Sequence, residues 1–182
     1  DVHRYFYPYK QYAAQSVADG EIPLWNSEIS CGAPFLANLQ SQVFYPPSAV
    51  YYIVPMPAGF NIFIILHFFL AGMFVFLLCR QWEFSFSASA VSSIVFAFSG
   101  YMLSVTDMVT SLCSAVWLPL ALLLFDRALK ARNRAKYAVL TGAALGLQFL
   151  AGEPTILYIT VFTLLIYGIM HVYGKKPKTP FR

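Results

Sequence analysis

Three carboxylates in this sequence stand where a membrane protein could use them for chemistry. Asp1 opens the chain, Asp107 separates two long apolar runs, and Glu153 lies in the turn "AGEPT" between two others. A carboxylate at a membrane boundary needs water, a cation or a hydrogen-bond donor, so each of the three is either solvated or used in a site. Because Gly-Glu-Pro is also ordinary turn chemistry, a solvated hairpin turn remains the alternative for Glu153.

Two cations, Arg4 and Lys10, follow Asp1 closely in the sequence. They could neutralise a phosphate or diphosphate, because guanidinium and ammonium groups donate charge-assisted hydrogen bonds to phosphate oxygens. The alternative is that both are surface charges on a solvated helix. The sequence contains no nucleotide-binding glycine loop, zinc motif or Ser-His-Asp arrangement that would indicate a different chemistry.

The elements that must position these residues are predicted by the composition. Of 182 residues, 59% are hydrophobic and 11% are charged, whereas soluble domains have about 25% charged residues. Five stretches lack Asp, Glu, Lys and Arg, and about 20 helical residues cross a hydrocarbon core of about 30 Å. The sequence therefore predicts an all-α polytopic membrane protein with about five transmembrane helices within 60–174, at residues 60–80, 84–105, 108–126, 136–152 and 154–174.

The distribution of lysine and arginine predicts the orientation in the membrane. Five passes place segments 126–136 and 174–182 on one face together with Arg80, so ten of the twelve lysines and arginines lie there. Because cytoplasmic loops carry the excess of these residues, this face is predicted to be cytoplasmic, with 175–182 as a basic tail or loop. The basic patches then indicate topology and contact with lipid headgroups of the bilayer rather than nucleic-acid binding.

Residues 1–59 are predicted to form an extracytoplasmic first loop with short interfacial helices. Proline at an early helical position and a following Asp-Gly predict one helix over about 8–17. A second helix over about 47–53 should lie near the headgroups, because Tyr45, Tyr51 and Tyr52 are amphipathic aromatic residues. We expect a preceding transmembrane helix in the intact protein, and the sequence to be part of a longer chain.

Several ordered motifs resemble one family. Asp1 is followed by "YPYKQY", "ADGEIPLWNS" and "CGAPFLANLQSQVFYPP", and further on by "FSGYMLS", "WLPLALL" and "AGEPT". This order resembles the first external loop and following helices of the bacterial YfhO-like membrane proteins, which belong to the GT-C glycosyltransferase superfamily. Ser27 stands where that family usually has proline, and Glu153 where it more often has histidine.

The resemblance implies a fragment of a GT-C-like fold and a function. Such enzymes reside in the bacterial cytoplasmic membrane and transfer a sugar from a polyprenyl-phosphate donor to an acceptor on the outer face. By position, Asp1 would be the general base on the acceptor or the ligand of a divalent cation, Mg or Mn. A carboxylate at headgroup depth can deprotonate an acceptor hydroxyl as it attacks the sugar. Arg4 and Lys10 are the cations that could stabilise the leaving phosphate.

The remaining motifs of the loop predict the wall of a site rather than its reacting centre. Trp25, Asn26, Asn38 and Gln40 would shape the loop and line a substrate groove beside Asp1, together with the boundary carboxylates Asp107 and Glu153. The alternative function is a non-catalytic membrane subunit that uses the loop as a docking surface for other membrane subunits.

Overall fold

The chain is mostly helical, at 76%, in a computed structural model that describes residues 2–29 and 31–174. A π-helical turn at Val2–Phe6 leads into the first helix, and 3-10 turns lie at Leu39–Ser41, Pro46–Ser48 and Val105–Asp107. The helices are α1 (Tyr7–Ala18), α2 (Ala49–Ile53), α3 (Ala58–Gln81), α4 (Phe86–Ala97), α5 (Gly100–Ser104), α6 (Val109–Ala115), α7 (Trp117–Lys130), α8 (Arg134–Leu150) and α9 (Pro154–Gly174).

Within the part of the chain that the structure describes, four helical segments are long and apolar enough to cross a membrane. They are Ala58–Gln81, Phe86–Asp107, Val109–Lys130 and Pro154–Tyr173. These segments indicate a membrane protein, and the all-α class predicted from the sequence is confirmed at that level. The predicted span at 136–152 corresponds to α8, whose 17 residues place it at the lower end of the length range for a crossing.

Two of the crossing segments are interrupted rather than continuous. In Phe86–Asp107, α4 ends at Ala97 and the Ser99 side chain caps α5 by accepting a 3.3 Å hydrogen bond from the Met102 amide. In Val109–Lys130, α6 and α7 are separated at Val116. Pro119 accounts for this second break, because proline has no N–H to donate to the carbonyl four residues before it.

The α6–α7 segment forms the centre of the helix bundle. It is the most enclosed of the four crossing segments, and it packs against α3, α8 and α9. The flanking α4 and α9 instead expose large apolar side chains such as Ile94, Val95, Ile159 and Phe162. Without a hydrocarbon or protein partner, such faces would be unfavourable in water, so they are suited to a bilayer.

The loop of residues 2–57 folds over one end of the bundle. Strand β1 (Trp25–Asn26) pairs antiparallel with β2 (Ala33–Pro34), and Trp25 lies opposite Pro34. The indole of Trp25 covers the backbone at Gly32, where a Cβ atom would lie 2.7 Å from the indole nitrogen and where φ is +108°. Only glycine tolerates both conditions, so this small hairpin depends on Gly32.

A buried hydrogen-bond triad fixes the loop to the bundle. The His67 Nδ1 atom lies 2.7 Å from the Phe63 carbonyl oxygen, which can only accept, so Nδ1 carries the proton. The Tyr45 hydroxyl then donates to His67 Nε2 over 2.8 Å and accepts from Trp117 Nε1 over 2.8 Å. Tyr45 therefore joins the loop to α3 and α7 at once, and burial raises its pKa so that the hydroxyl stays protonated.

Candidate functional site

A cleft of about 370 Å³ opens between the loop and the helix ends beneath it. Its walls come from the π-helical turn, the Leu39–Ser41 turn, the start of α6 and the turn between α8 and α9. It is lined by Tyr5, Phe6, Gln40, Met108, Thr110, Ser111 and Glu153. The lining combines one carboxylate, an amide and hydroxyl groups with apolar side chains, which is the composition of a small-molecule site.

Asn38 positions two of the polar side chains in this cleft. Its side-chain oxygen accepts a 3.0 Å hydrogen bond from the backbone N–H of Gln40 and caps the Leu39–Ser41 turn. Its side-chain nitrogen donates to the Tyr5 hydroxyl over 2.8 Å. Burial is the main cause that raises the pKa of Tyr5, so this hydroxyl remains protonated and can donate to a ligand.

Glu153 reaches the cleft because of the glycine before it. Gly152 has φ of +90°, and a Cβ atom there would lie 2.7 Å from the Leu39 carbonyl oxygen. The turn can therefore approach the loop closely only with glycine at this position, and the Gln42 side chain completes the contact by donating to the Ala151 carbonyl. The Glu153 carboxylate is half-buried and forms no salt bridge with any residue of 2–29 or 31–174.

Lys10 occupies a different place from the one its predicted role requires. Its side chain is only 1% exposed, and Nζ donates to the carbonyl oxygens of Gln40 and Ser41 at 3.1 and 2.7 Å. Binding a phosphate at the surface is inconsistent with this burial. Lys10 instead ties α1 to the turn that carries Gln40, and burial lowers its pKa from 10.5 to about 7.

The other predicted residues lie outside the lining of the cleft. Arg4 and Asp107 are exposed, and Trp25 is 57% exposed on the outer side of the loop. Asn26 is buried, and its side-chain oxygen accepts from the Glu28 amide over 2.9 Å, so it shapes the loop. The predicted catalytic Asp1 and the tail at 175–182 fall outside the described residues.

The cleft thus unites Gln40 and Glu153, which are 113 positions apart in the sequence, with Asn38 directly behind them. It also contains side chains that the sequence did not single out. Thr110 and Ser111 carried a weak signal, because they are hydroxyl residues at the start of an apolar run. Tyr5 carried none, because it is one of several aromatic residues in "YFYPY".

The described residues do not by themselves provide a metal site. In the part of the chain from 2 to 174 without residue 30, no three His, Cys, Asp or Glu side chains lie close enough together to hold a metal ion. Among the described residues that line the cleft, Glu153 is the one carboxylate that could contact the Mg or Mn ion implied by the resemblance.

Comparison with known proteins gives no further assignment. The sequence matches no protein-family model, and no curated protein and no solved structure is significantly similar to it. The fold and the cleft define a helical protein that has, within residues 2–29 and 31–174, four helical segments long and apolar enough to cross a membrane. A loop covers a polar cleft at one end of these segments.

Proposed function

We propose that this protein acts as a membrane glycosyltransferase of the GT-C type, transferring a sugar from a polyprenyl-phosphate donor to an acceptor at the cleft described above. The observation that carries the proposal is the convergence of Tyr5, Gln40 and Glu153 on one cleft at the end of the membrane-crossing helices. A lipid-phosphate donor anchored in the bilayer presents its sugar at this depth. Amide, hydroxyl and carboxylate groups are the partners that sugar hydroxyls require.

Charge supports an orientation in which the cleft faces away from the cytoplasm. The helix ends remote from the cleft carry the cations Arg80, Arg127, Lys130, Arg132, Arg134 and Lys136. The loop and the helix ends at the cleft carry two cations, Arg4 and Lys10, and more carboxylates, namely Asp19, Glu21, Glu28, Asp107 and Glu153. By the positive-inside bias, the basic end is cytoplasmic and residues 2–57 are extracytoplasmic, in a bacterial cytoplasmic membrane.

Native cysteines provide a test of this orientation. Cys31 is exposed on the loop, whereas Cys79 and Cys113 are buried. A membrane-impermeant maleimide added to intact cells should label Cys31, and a Cys31→Ser/Lys130→Cys variant should be labelled only after the cells are opened. Labelling of the variant in intact cells together with protection of native Cys31 would reverse the orientation and remove the cleft from the outer face.

The proposed reaction divides the work between two carboxylates. The acceptor oxygen attacks C1 of the sugar, the bond from C1 to the phosphate oxygen breaks, and the hydroxyl proton passes to a carboxylate. We assign that proton to Asp1, as the resemblance implies, and the binding of sugar hydroxyls to Glu153 with Gln40 and Tyr5. Binding holds both reactants in one geometry before the reaction. The barrier of the chemical step is therefore lower, because the loss of translational and rotational entropy has already occurred on binding.

Glu153→Gln in the full-length protein tests the assignment of the cleft. Vesicles would be supplied with undecaprenyl-phosphate hexoses, and release of undecaprenyl phosphate would be measured. A charged hydrogen bond to a sugar hydroxyl contributes about 1.5–3 kcal/mol, so kcat/KM should fall about 10- to 100-fold. Glu21→Gln changes an exposed carboxylate of the loop 2–57 that lies outside the cleft, so it is the control and should leave turnover unchanged.

Two results would count against the proposal. If Glu153→Gln turns over the donor as fast as the wild type, the cleft is not the sugar site. If the wild type turns over no polyprenyl-phosphate sugar and instead purifies in a fixed ratio with other membrane proteins, the protein is a non-catalytic subunit. Asp1→Asn, assayed in the same way, distinguishes a general base from a residue that binds the sugar. Loss of the base should lower kcat rather than raise KM.

A further inference from the structure

A polar network closes the end of the helix bundle that lies opposite the cleft. Asp126 is 0% exposed, and its carboxylate accepts from Lys130 Nζ at 2.7 Å, Gln81 Nε2 at 2.7 Å and the Tyr167 hydroxyl at 2.5 Å. The Gln81 side-chain oxygen accepts from Arg127 Nε at 2.5 Å. Three donors surround the carboxylate oxygens of Asp126, and one of them is a lysine. The negative charge of Asp126 is therefore compensated within the network.

A second cleft, of about 470 Å³, opens over this network. It is lined by Gln81, Glu83, Asp126, Arg127, Lys130, Ala131 and Tyr137. Arg127 donates to the network only through Nε, so its terminal N–H groups are available to a ligand. Its guanidinium carbon lies 5.8 Å from the centre of the Tyr137 ring. Lys136 lies 5.9 Å from the same ring. Two cations, Arg127 and Lys130, thus line an opening whose buried acid is already paired, and Lys136 lies beside it against Tyr137. Glu83 is exposed at its margin.

The position of this cleft relates it to the membrane. Gln81 and Lys130 are the last residues of two membrane-crossing segments, so the cleft lies where those segments leave the hydrocarbon core. Large apolar side chains are exposed close by along the chain, at Phe84, Phe86 and Val139. Cations grouped at a helix end beside exposed apolar surface match the two parts of a phospholipid, a phosphate and its acyl chains.

We propose that this cleft binds the phosphodiester headgroup of an anionic phospholipid. Arg127 and Lys136 donate to the phosphate oxygens, Lys130 contributes its remaining N–H groups, and the Tyr137 ring holds the two outer cations in place. The inference does not rest on the glycosyltransferase proposal, because it uses a different cleft at the opposite end of the bundle.

Native mass spectrometry provides the test. The full-length protein would be released from nanodiscs that contain equal amounts of phosphatidylglycerol and phosphatidylcholine, and retained lipid would be counted. The wild type should retain phosphatidylglycerol in preference to phosphatidylcholine. Removing one cation near an anionic surface weakens attraction about fivefold, so Arg127→Gln/Lys136→Gln should lower the preference about 25-fold.

Two variants separate the site from general charge and from misfolding. Arg132→Gln removes an exposed cation of the same segment that, unlike Lys136, does not lie against the Tyr137 ring of the cleft, so it should keep the wild-type preference. Lys136→Gln leaves the network at Asp126 intact, so it should keep the wild-type melting temperature and still lose about fivefold in preference. An equal loss in Arg132→Gln and Lys136→Gln would overturn the proposal in favour of unspecific attraction to the surface.

Inorganic phosphate distinguishes the source of the bound group. If the headgroup is recognised as part of a lipid in the bilayer, excess inorganic phosphate should leave the retained phosphatidylglycerol in place. Displacement of the lipid by inorganic phosphate would show that the cleft recognises a phosphate group and not a membrane lipid as such. Equal retention of the two lipids by the wild type would show that the cleft does not select anionic phospholipid.

Discussion

Replacing Lys10 by methionine should change how the stability of the loop depends on pH. Lys10 is buried, and its Nζ donates to the Gln40 and Ser41 carbonyls. Burial lowers its pKa from 10.5 to about 7. Methionine has a similar length and no titrating group, so the variant removes this pH dependence together with two hydrogen bonds.

The sign and size follow from the shifted pKa. Between pH 7 and 10.5 the opened loop carries a protonated Lys10 while the closed loop has released that proton. Closing is therefore least favourable below pH 7 and becomes more favourable as pH rises, by about 5 kcal/mol in all at 1.36 kcal/mol per pKa unit. From about pH 7.5 to about pH 9.5 the gain is about 2.5 kcal/mol, or roughly 70-fold in the opening equilibrium.

Proteolysis of the loop measures this equilibrium. With a protease that is active over the whole range, the cleavage rate follows the open fraction when opening is fast relative to cleavage. After correction for protease activity, cleavage of the wild type should slow roughly 70-fold from about pH 7.5 to about pH 9.5. Lys10→Met should lose this change. The exposed Lys136→Met is the control and should behave as the wild type. An identical pH dependence in Lys10→Met and the wild type would show that the protonation of Lys10 does not control opening of the loop.

Three substitutions test other contacts through the melting temperature. Gly152→Ala should cost about 1–3 kcal/mol, because it adds a Cβ at a positive φ against a backbone oxygen, whereas Gly142→Ala meets no atom within 4 Å and should not destabilise. Tyr45→Phe should cost about 2–4 kcal/mol by leaving a buried imidazole and a buried indole unpaired, and Tyr52→Phe, which loses one half-buried bond, about 1 kcal/mol. Asp126→Asn should lower the free energy of unfolding by about 2 kcal/mol. The amide that replaces the carboxylate has only one oxygen for the three donors, and it no longer compensates the charge of Lys130. Each contact would be contradicted by one result. For Gly152→Ala it is a smaller loss of stability than for Gly142→Ala, and for Tyr45→Phe a smaller loss than for Tyr52→Phe. For Asp126→Asn it is an unchanged melting temperature.

The sequence was most informative where one physical requirement dominates. Charge-free runs must be long to cross hydrocarbon, and four of the five coincide with helices that are long and apolar enough to do so. Its limits appear within those runs. Capping by Ser99 divides one segment, although serine is also common inside membrane helices and so carries no unambiguous signal there.

The cleft could be predicted only in part, for a related reason. Gln40 and Glu153 were chosen from motifs, but their meeting depends on the contact of Gly152 with Leu39. The burial of Lys10 was missed because its acceptors are backbone carbonyls 30 and 31 positions away, which no side-chain pattern reveals. Asp126 was taken for part of a basic surface segment, since its partners Gln81 and Tyr167 come from distant helices.

The central claim is that the cleft between the loop and the helix ends handles a sugar on a polyprenyl phosphate. The most direct measurement is release of undecaprenyl phosphate from undecaprenyl-phosphate hexoses by the full-length wild-type protein in vesicles, beside Glu153→Gln and Glu21→Gln. We expect turnover in the wild type and in Glu21→Gln, and a loss of about 10- to 100-fold in Glu153→Gln. Equal turnover in all three proteins, or none in the wild type with any donor, would contradict it.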